Sequence, residues 1–303
     1  MSPETDPELA ALLGTVNKPA SNIKVGASFA KHKIIVLSGK GGVGKSTVAA
    51  NLAAALATMG YQTGIIDTDM TGPSIPKMLG IEHLRPEVRE DKRLKPVPVP
   101  TIPNLQAMSL AFFLKNPDVP VIWRGSMKFK AIRQFLYDIA WESLDYLVFD
   151  LPPGTSDEPL TIAQQLPDVD GAIIVTTPQD VATLDVRKAI NFLRELKIRP
   201  LGVIENMSGF RCPHCKEVVN IFGKNGGRQM ADSMGVRFLG SVPIDPGICE
   251  SGDSGQPFVL EGQKYAMQQT TQIFREMVLS LTKILDDSKK AETPSMPTMT
   301  TLP

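Results

Sequence analysis

The chain has 303 residues, 42% hydrophobic and 21% charged, with 32 basic residues balanced by 32 acidic ones. That is ordinary globular composition with material for a core, and zero net charge argues against a broad nucleic-acid footprint. No apolar run reaches membrane-spanning length, and three cysteines are too few for a disulfide scaffold, so the expected residence is cytoplasmic.

Residues 1–30 carry no strong periodicity and no apolar secretory core or Arg-rich leader. They read as a flexible N-terminal arm with, at most, a short helix around Pro7 to Leu13. Lys33 to Ser38 predicts the first strand. Thr47 to Met59 predicts a helix with Val48, Leu52, Leu56 and Met59 on one face and Gly60 as its stop. Thr63 to Asp67 follows as a second strand. Pro86 to Pro103 is rich in proline and charge and reads as an excursion of loop and edge strand. Leu105 to Leu110 predicts a strand and Met127 to Ala140 a helix. Tyr146 to Asp150, Ala172 to Thr176 and Leu201 to Glu205 are short continuous apolar runs, as expected for strands covered on both faces. Val181 to Leu196 predicts the helix between two of them. Tyr265 to Asp286 carries Ile273, Phe274, Met277, Val278, Leu281, Ile284 and Leu285 at helical spacing. Few Lys or Arg residues line its polar face, which favours a helix packed on the core over one lying on a membrane. The alternation predicts an α/β fold, a mostly parallel central sheet flanked by helices. One domain spans 31–287, and 288–303 is expected to be a disordered tail.

Between the first strand and helix lies Gly39-Lys40-Gly41-Gly42-Val43-Gly44-Lys45-Ser46-Thr47, the phosphate-binding pattern G-x-x-x-x-G-K-[ST] in its strand–loop–helix setting. Glycines let backbone amides converge on phosphate oxygens. Lys45 can reach the β- and γ-phosphates of ATP, and the Ser46 hydroxyl can ligate Mg²⁺. Asp67-Thr68-Asp69 and Asp150 end apolar strands, where a carboxylate beside such a loop can hold the Mg²⁺ shell or orient the attacking water. Further on, Asn206 follows a strand, and Pro243-Ile244-Asp245 follows another.

Cys212-Pro213-His214-Cys215 is a chelating pair in a loop. Two thiolates are half of the usual four-ligand set, and a symmetric dimer with the pair near its two-fold axis would complete it. Four sulfurs suit an iron–sulfur cluster or Zn²⁺, and a redox disulfide is a further reading. His214 reads as a loop residue and Cys249 as a small buried hydrophobe.

With its second lysine, Lys40, the loop resembles the deviant Walker A P-loop ATPases, a group that includes the nitrogenase iron protein and the partitioning and septum-positioning ATPases. That resemblance implies that Lys40 contacts nucleotide across a dimer interface, that Asp69 polarises the water, that Asp150 supports Mg²⁺ and that the Gly154 amide senses the γ-phosphate. It also implies that Asn206, Pro243 and Asp245 bracket adenine. More closely, the chain resembles the Mrp/ApbC family of iron–sulfur cluster carrier ATPases, relatives of the eukaryotic cytosolic scaffold ATPases. The resemblance runs through Gly39 to Thr47, Asp67 to Ser74, Trp123-Arg124-Gly125, Asp145 to Asp157, Glu205 to Phe210, Cys212 to Cys215, Phe222-Gly223 and Pro243 to Pro246. It implies a homodimer that binds ATP and Mg²⁺. A labile [4Fe–4S] cluster would be held by Cys212 and Cys215 of both chains and passed to apo iron–sulfur proteins. Ser126 stands where proline is usual, and the N-terminal arm has no cysteines, so a heterodimer with a longer paralogue is a second arrangement. No nucleic acid or membrane partner is expected. The alternatives are a partitioning or positioning ATPase acting on DNA or membrane, and a dimer with a structural zinc.

Overall fold

The computed structural model describes residues 30–69, 72–113, 132, 136–166, 168–212, 214–260, 262 and 268–292. In chain order its elements are β1 (Ala30–Ser38), α1 (Lys45–Thr58), β2 (Thr63–Asp67), α2 (Ile75–Met78), β3 (Glu87–Val88), β4 (Leu94–Lys95), β5 (Val97–Pro98) and β6 (Leu105–Ser109). After these come β7 (Leu144–Asp150), α3 (Asp157–Gln165), β8 (Gly171–Thr176), α4 (Asp180–Glu195), β9 (Pro200–Glu205), β10 (Phe210–Arg211) and β11 (Val218–Val219). The chain closes with α5 (Gly226–Ser233), β12 (Phe238–Ser241), α6 (Pro246–Asp253) and α7 (Gln268–Glu292).

Eight strands form one sheet in the order β12-β9-β8-β1-β7-β2-β6-β5. All neighbours run parallel except β5, which lies antiparallel on the edge beside β6. Pro98 is tolerated there because an edge strand can spare one amide. The continuous apolar runs are the interior strands: every residue of β2 and β8 is buried, as parallel strands under two helical layers require. From β1 the chain first moves out to β2 and β6, returns through β7, and then builds β8, β9 and β12 on the other side. The reversal falls around β1, so the crevice at its carboxyl end is where an open α/β sheet binds ligand.

Helix α1 packs so closely that Ala49, Ala50, Ala53, Ala54, Ala55 and Ala57 are all buried. Small side chains bring its axis near the sheet and aim its N-terminus at the crevice. Helix α7 lays Phe274, Met277, Val278, Leu281 and Leu285 onto the core. Its apolar face is therefore spent inside the molecule, as its few cationic residues lead one to expect.

Several boundaries differ from the sequence reading. The last helix runs to Glu292, so the boundary at 287 falls inside it: polar composition alone did not stop a helix already anchored by its apolar face. Of the Met127–Ala140 helix, Ile132, Leu136 and Tyr137 are helical, and Ile139 has left it for a bridge with Leu94. Residues 1–29, Met70, Thr71, Trp123-Arg124-Gly125, Ser126 and Pro213 lie outside the described residues, and Ala30, expected in the arm, opens β1. Among the described residues no helix is long and apolar enough to cross a membrane.

Candidate functional site

At the end of β1 the chain turns through the glycine-rich loop into α1. Gly42 and Gly44 have φ of 78° and 83°, which an L-side chain adopts only with strain. The first turn of α1 holds no acidic residue of its own, and a helix N-terminus carries partial positive charge that favours an anion. Lys45 is 6% exposed and donates to Asp150 Oδ1 at 2.6 Å and to Ser46 Oγ at 3.1 Å. These contacts bring together Lys45, Ser46 and Asp150, the three residues expected to hold phosphate and Mg²⁺. Lys40 is half-buried in the same loop and makes no ion pair among the described residues.

Two carboxylates stand side by side where β2 and β7 end, Asp67 opposite Asp150 in the parallel register. Neither has any exposed surface. Asp67 Oδ2 accepts from the Ile75 amide at 3.2 Å and the Ser109 hydroxyl at 3.1 Å, and its Oδ1 accepts from the Asp69 amide at 3.2 Å. Burial, reinforced by the neighbouring Asp150 charge, pushes Asp67 up to about 7. For Asp150 burial also pushes upward and outweighs the opposing pull of the Lys45 ammonium. Asp150 Oδ2 is buried without a hydrogen-bond partner. An unpaired buried carboxylate oxygen is costly, and together with the Ser46 hydroxyl it makes an all-oxygen donor pair of the kind Mg²⁺ takes. The residues present therefore fit the cation.

The sequence names Asp67 among the strand-end carboxylates but gives it no role of its own, because its burial and its neighbour both depend on sheet register. Asp67 gives a pH prediction for the nucleotide-free chain. An unfolded aspartate loses its proton near pH 4 (about 3.9), whereas Asp67 keeps it to about 7. The folded state thus binds the extra proton between these values. That stability is fully present below the unfolded value and is lost as pH rises through the folded one. In Mg²⁺-free buffer the urea midpoint should fall from pH 5 to pH 8, and Asp67→Asn should flatten the fall. An unchanged slope in the variant would remove Asp67 as its cause.

The remaining predicted residues surround this centre. Half-buried Asp69 accepts from the Gly72 amide at 3.1 Å. The Gly154 amide, expected to face a γ-phosphate, donates to Ser38 O at 2.8 Å. Thr68 donates to Asp150 O through both amide and hydroxyl, locking the two strand ends together. Asn206 Nδ2 donates to Val43 O in the phosphate loop at 2.9 Å. A Cβ on Gly44 would lie 2.1 Å from that nitrogen, so glycine is needed there for space as well as for φ. Pro243 and Asp245 adjoin Asn206 through Val242, whose amide donates to Glu205 O. The Asp245 carboxylate caps α6 through Gly247 N at 3.0 Å and accepts from Thr270 Oγ1 at 2.9 Å.

The cysteine pair sits at the tip of the β10–β11 hairpin, where Cys212 N donates to Glu217 O at 2.9 Å and Lys216 N to Cys212 O at 3.0 Å. The backbone amides of Cys215 and His214, together with the Cys215 side chain, hydrogen-bond the Cys212 sulfur and hold its thiol below the ordinary value. Such stabilisation of the thiolate is what a metal or sulfide ligand requires. Cys215 and His214 are exposed, and among the described residues no three His, Cys, Asp or Glu side chains converge on a metal position. One chain thus offers half a ligand set. Cys249 is exposed on α6, with its Sγ 3.8 Å from Asp253, and is not the buried hydrophobe expected. A lone thiol gives no periodic signal that would place it inward or outward.

Exposed apolar side chains surround both features. Val218, Val219 and Ile221 flank the cysteines with 63, 52 and 54% exposure, and Val181 and Leu184 open α4 with 67 and 60%. The two groups share a support, since Gly226 abuts Pro178 just before α4, and the same helix lies against Gly39 of the phosphate loop. Exposed patches of this kind mark interaction sites.

Comparison with known proteins places the chain among P-loop NTPases. A family model described as ParA, NUBPL iron-transfer P-loop NTPase, matches residues 29–281. An iron–sulfur cluster carrier protein of Methanocaldococcus jannaschii is 50% identical over 259 residues, covering 86% of this chain and 87% of the relative. The cytosolic Fe-S cluster assembly factor CFD1 of Candida glabrata is 44% identical over 291 residues, covering 95% of this chain and 99% of the relative. Among solved structures, a nucleotide-binding protein of Archaeoglobus fulgidus in complex with ADP superposes with a TM-score of 0.67 at 38% identity, covering 76% of this chain and 89% of that one.

Proposed function

This chain belongs to the NUBPL iron-transfer P-loop NTPase family, and on that premise we propose that it is an ATP-hydrolysing carrier of iron–sulfur clusters. The observation that carries the reading is the exposed Cys212/Cys215 hairpin, a half ligand set with a depressed thiol, rooted beside a phosphate loop. Two chains in a homodimer bring four thiolates to one [4Fe–4S] cargo. Apo iron–sulfur proteins of the cytoplasm receive it, and a longer paralogue is the alternative second subunit. The exposed Val181, Leu184, Val218, Val219 and Ile221 supply apolar surface to that interface.

Each residue then has a task. Loop amides, Lys45 and Ser46 bind the triphosphate. Ser46 and Asp150 hold Mg²⁺, which offsets phosphate charge when bound. As nucleotide enters, Lys45 leaves Asp150 for phosphate oxygens, and Gly154 exchanges Ser38 O for the γ-phosphate. Asp69 orients the attacking water, Lys40 reaches the partner's nucleotide, and Asn206 with the Pro243–Asp245 loop flanks adenine.

A structural zinc in the same thiolates is the second reading, because the donor set suits both metals. Anaerobic reconstitution with iron and sulfide tests it. The expected product is brown, with about four irons and four sulfides per two chains. Stoichiometric zinc that excludes iron would sink the carrier reading.

A further inference from the structure

A buried carboxylate with no part in this chemistry stands at the root of the cysteine hairpin. Glu205 ends β9 with no exposed surface. Its Oε1 accepts from the Ser208 hydroxyl at 2.6 Å and, at 3.5 Å, from the Ser241 hydroxyl. Its Oε2 accepts from the Gly227 amide at 2.6 Å. The three donors belong to the hairpin root, to β12 and to the first turn of α5. Glycines make the last contact possible: a Cβ at Gly227 would come within 3.0 Å of Oε2, and one at Gly226 within 2.1 Å of Pro178 O. At 2.6 Å the Ser208 and Gly227 bonds are at or just below the short end of their ranges.

From Glu205 to Cys212 the chain has little freedom. Asn206 is tied to Val43 O and Thr176 O. Met207 and Gly209 turn the backbone with φ of 55° and 79°. Ser208 N donates to Val242 O at 2.9 Å, Ile244 N donates to Gly209 O at 2.8 Å, and Phe210 bridges to Ile244. The hairpin is therefore strapped to the Val242–Asp245 loop, and both meet the nucleotide site through Asn206. A shift at either wall of the base site reaches the cysteines without an intervening flexible linker.

We propose that Glu205 is a positioning residue that holds the cysteine hairpin to the nucleotide site, so that nucleotide occupancy changes the accessibility of Cys212 and Cys215. Its consequence for cluster retention rests on the carrier reading, whereas the positional link can be measured in metal-free protein. Ser208→Ala removes the bond between carboxylate and hairpin. Glu205→Gln keeps the shape and the Gly227 contact through its amide oxygen but sets an amide nitrogen, a donor and not an acceptor, against the Ser208 hydroxyl. Ser241→Ala removes only the longest contact to the same carboxylate and leaves the root intact.

The test is the rate of thiol alkylation at each cysteine, read by mass spectrometry in the full-length, metal-free chain. Rates are taken with and without a non-hydrolysable ATP analogue, with exposed Cys249 as the internal reference. In the wild type the analogue should change the Cys212 and Cys215 rates about fivefold or more relative to Cys249, the size expected when one hydrogen bond governs the position. Ser208→Ala and Glu205→Gln should bring that ratio towards one with analogue affinity unchanged, and Ser241→Ala should keep it. A wild-type ratio of one overturns the proposal, as does a full ratio in Ser208→Ala or an equal loss in Ser241→Ala. Should Glu205→Gln fail to fold, Ser208→Ala decides alone. Failure to load a cluster, with the alkylation pattern as expected, removes the carrier reading and leaves the positioning role standing. A loaded cluster with the pattern absent does the reverse.

Discussion

Lys40→Ala should lose ATP turnover by roughly 10³-fold or more while its nucleotide affinity stays within a few-fold of wild type. The two lysines of the loop have different surroundings. Lys45 is buried and already bonded to Asp150 and Ser46, the groups proposed to hold Mg²⁺. Lys40 is half-buried and makes no ion pair among the described residues. It lies in the loop beside α4, whose first turns expose Val181 and Leu184. A cation held at a prospective interface contributes most when the partner's phosphoryl group builds charge in the transition state, and little to ground-state binding. Lys45→Ala should instead weaken binding and turnover together. Phosphate release and equilibrium nucleotide titration separate the cases. Normal turnover in Lys40→Ala, or loss of affinity equal to that of Lys45→Ala, would show that Lys40 serves its own subunit or none. The same idea requires turnover per chain to rise with protein concentration until the dimer saturates.

Three groups of the proposed nucleotide site are bonded within the chain itself. Lys45 neutralises Asp150, Gly154 N–H is taken by Ser38 O, and the Asn206 amide by Val43 O. On the proposed function each of these bonds would be exchanged for one to the nucleotide rather than a new bond simply being gained.

The legible part of this molecule was local. Gly39 to Thr47 is readable because a phosphate cradle demands consecutive glycines, a lysine and a hydroxyl within one turn of chain. Strands β2, β7, β8 and β9 were readable because burial on both faces leaves an unbroken apolar run. What escaped depends on partners far along the chain. Asp67 gains its character from Asp150, and Glu205 from Ser208, Gly227 and Ser241. Helices α3, α5 and α6 are eight or nine residues long, too short for a persuasive apolar period. The β10–β11 hairpin has two residues per strand and is stabilised by its attachment to Ile244 more than by its own pattern. Cys212 and Cys215 were recognisable by spacing, yet their exposure among Val218, Val219 and Ile221 is a property of the folded surface.

Cys212→Ala and Cys215→Ala should each abolish stable cluster binding, whereas Cys249→Ala should leave it intact. Each single change removes two of four ligands from a symmetric dimer, because the same residue is lost from both chains. A four-iron cluster with two thiolates missing has open iron sites that chelators and oxygen attack. Cys212 is the more sensitive of the two: the amides of Cys215 and His214 already stabilise its thiolate. Cys249 faces solvent on α6 against Asp253, away from the hairpin's hydrogen-bonded root. Nucleotide binding should survive in both hairpin variants, since the phosphate loop and its carboxylates belong to other strand ends. Iron and sulfide content after anaerobic reconstitution, together with visible absorbance, reads the first effect, and nucleotide titration reads the second. Full iron content in the double variant Cys212→Ala/Cys215→Ala would place the cluster elsewhere, and a complete cluster on a demonstrably monomeric chain would end the shared-site model. Iron that comes off within minutes of adding a chelator to wild type, but is retained when a cross-link joins the subunits, would show that separation of the two hairpins is what releases the cargo.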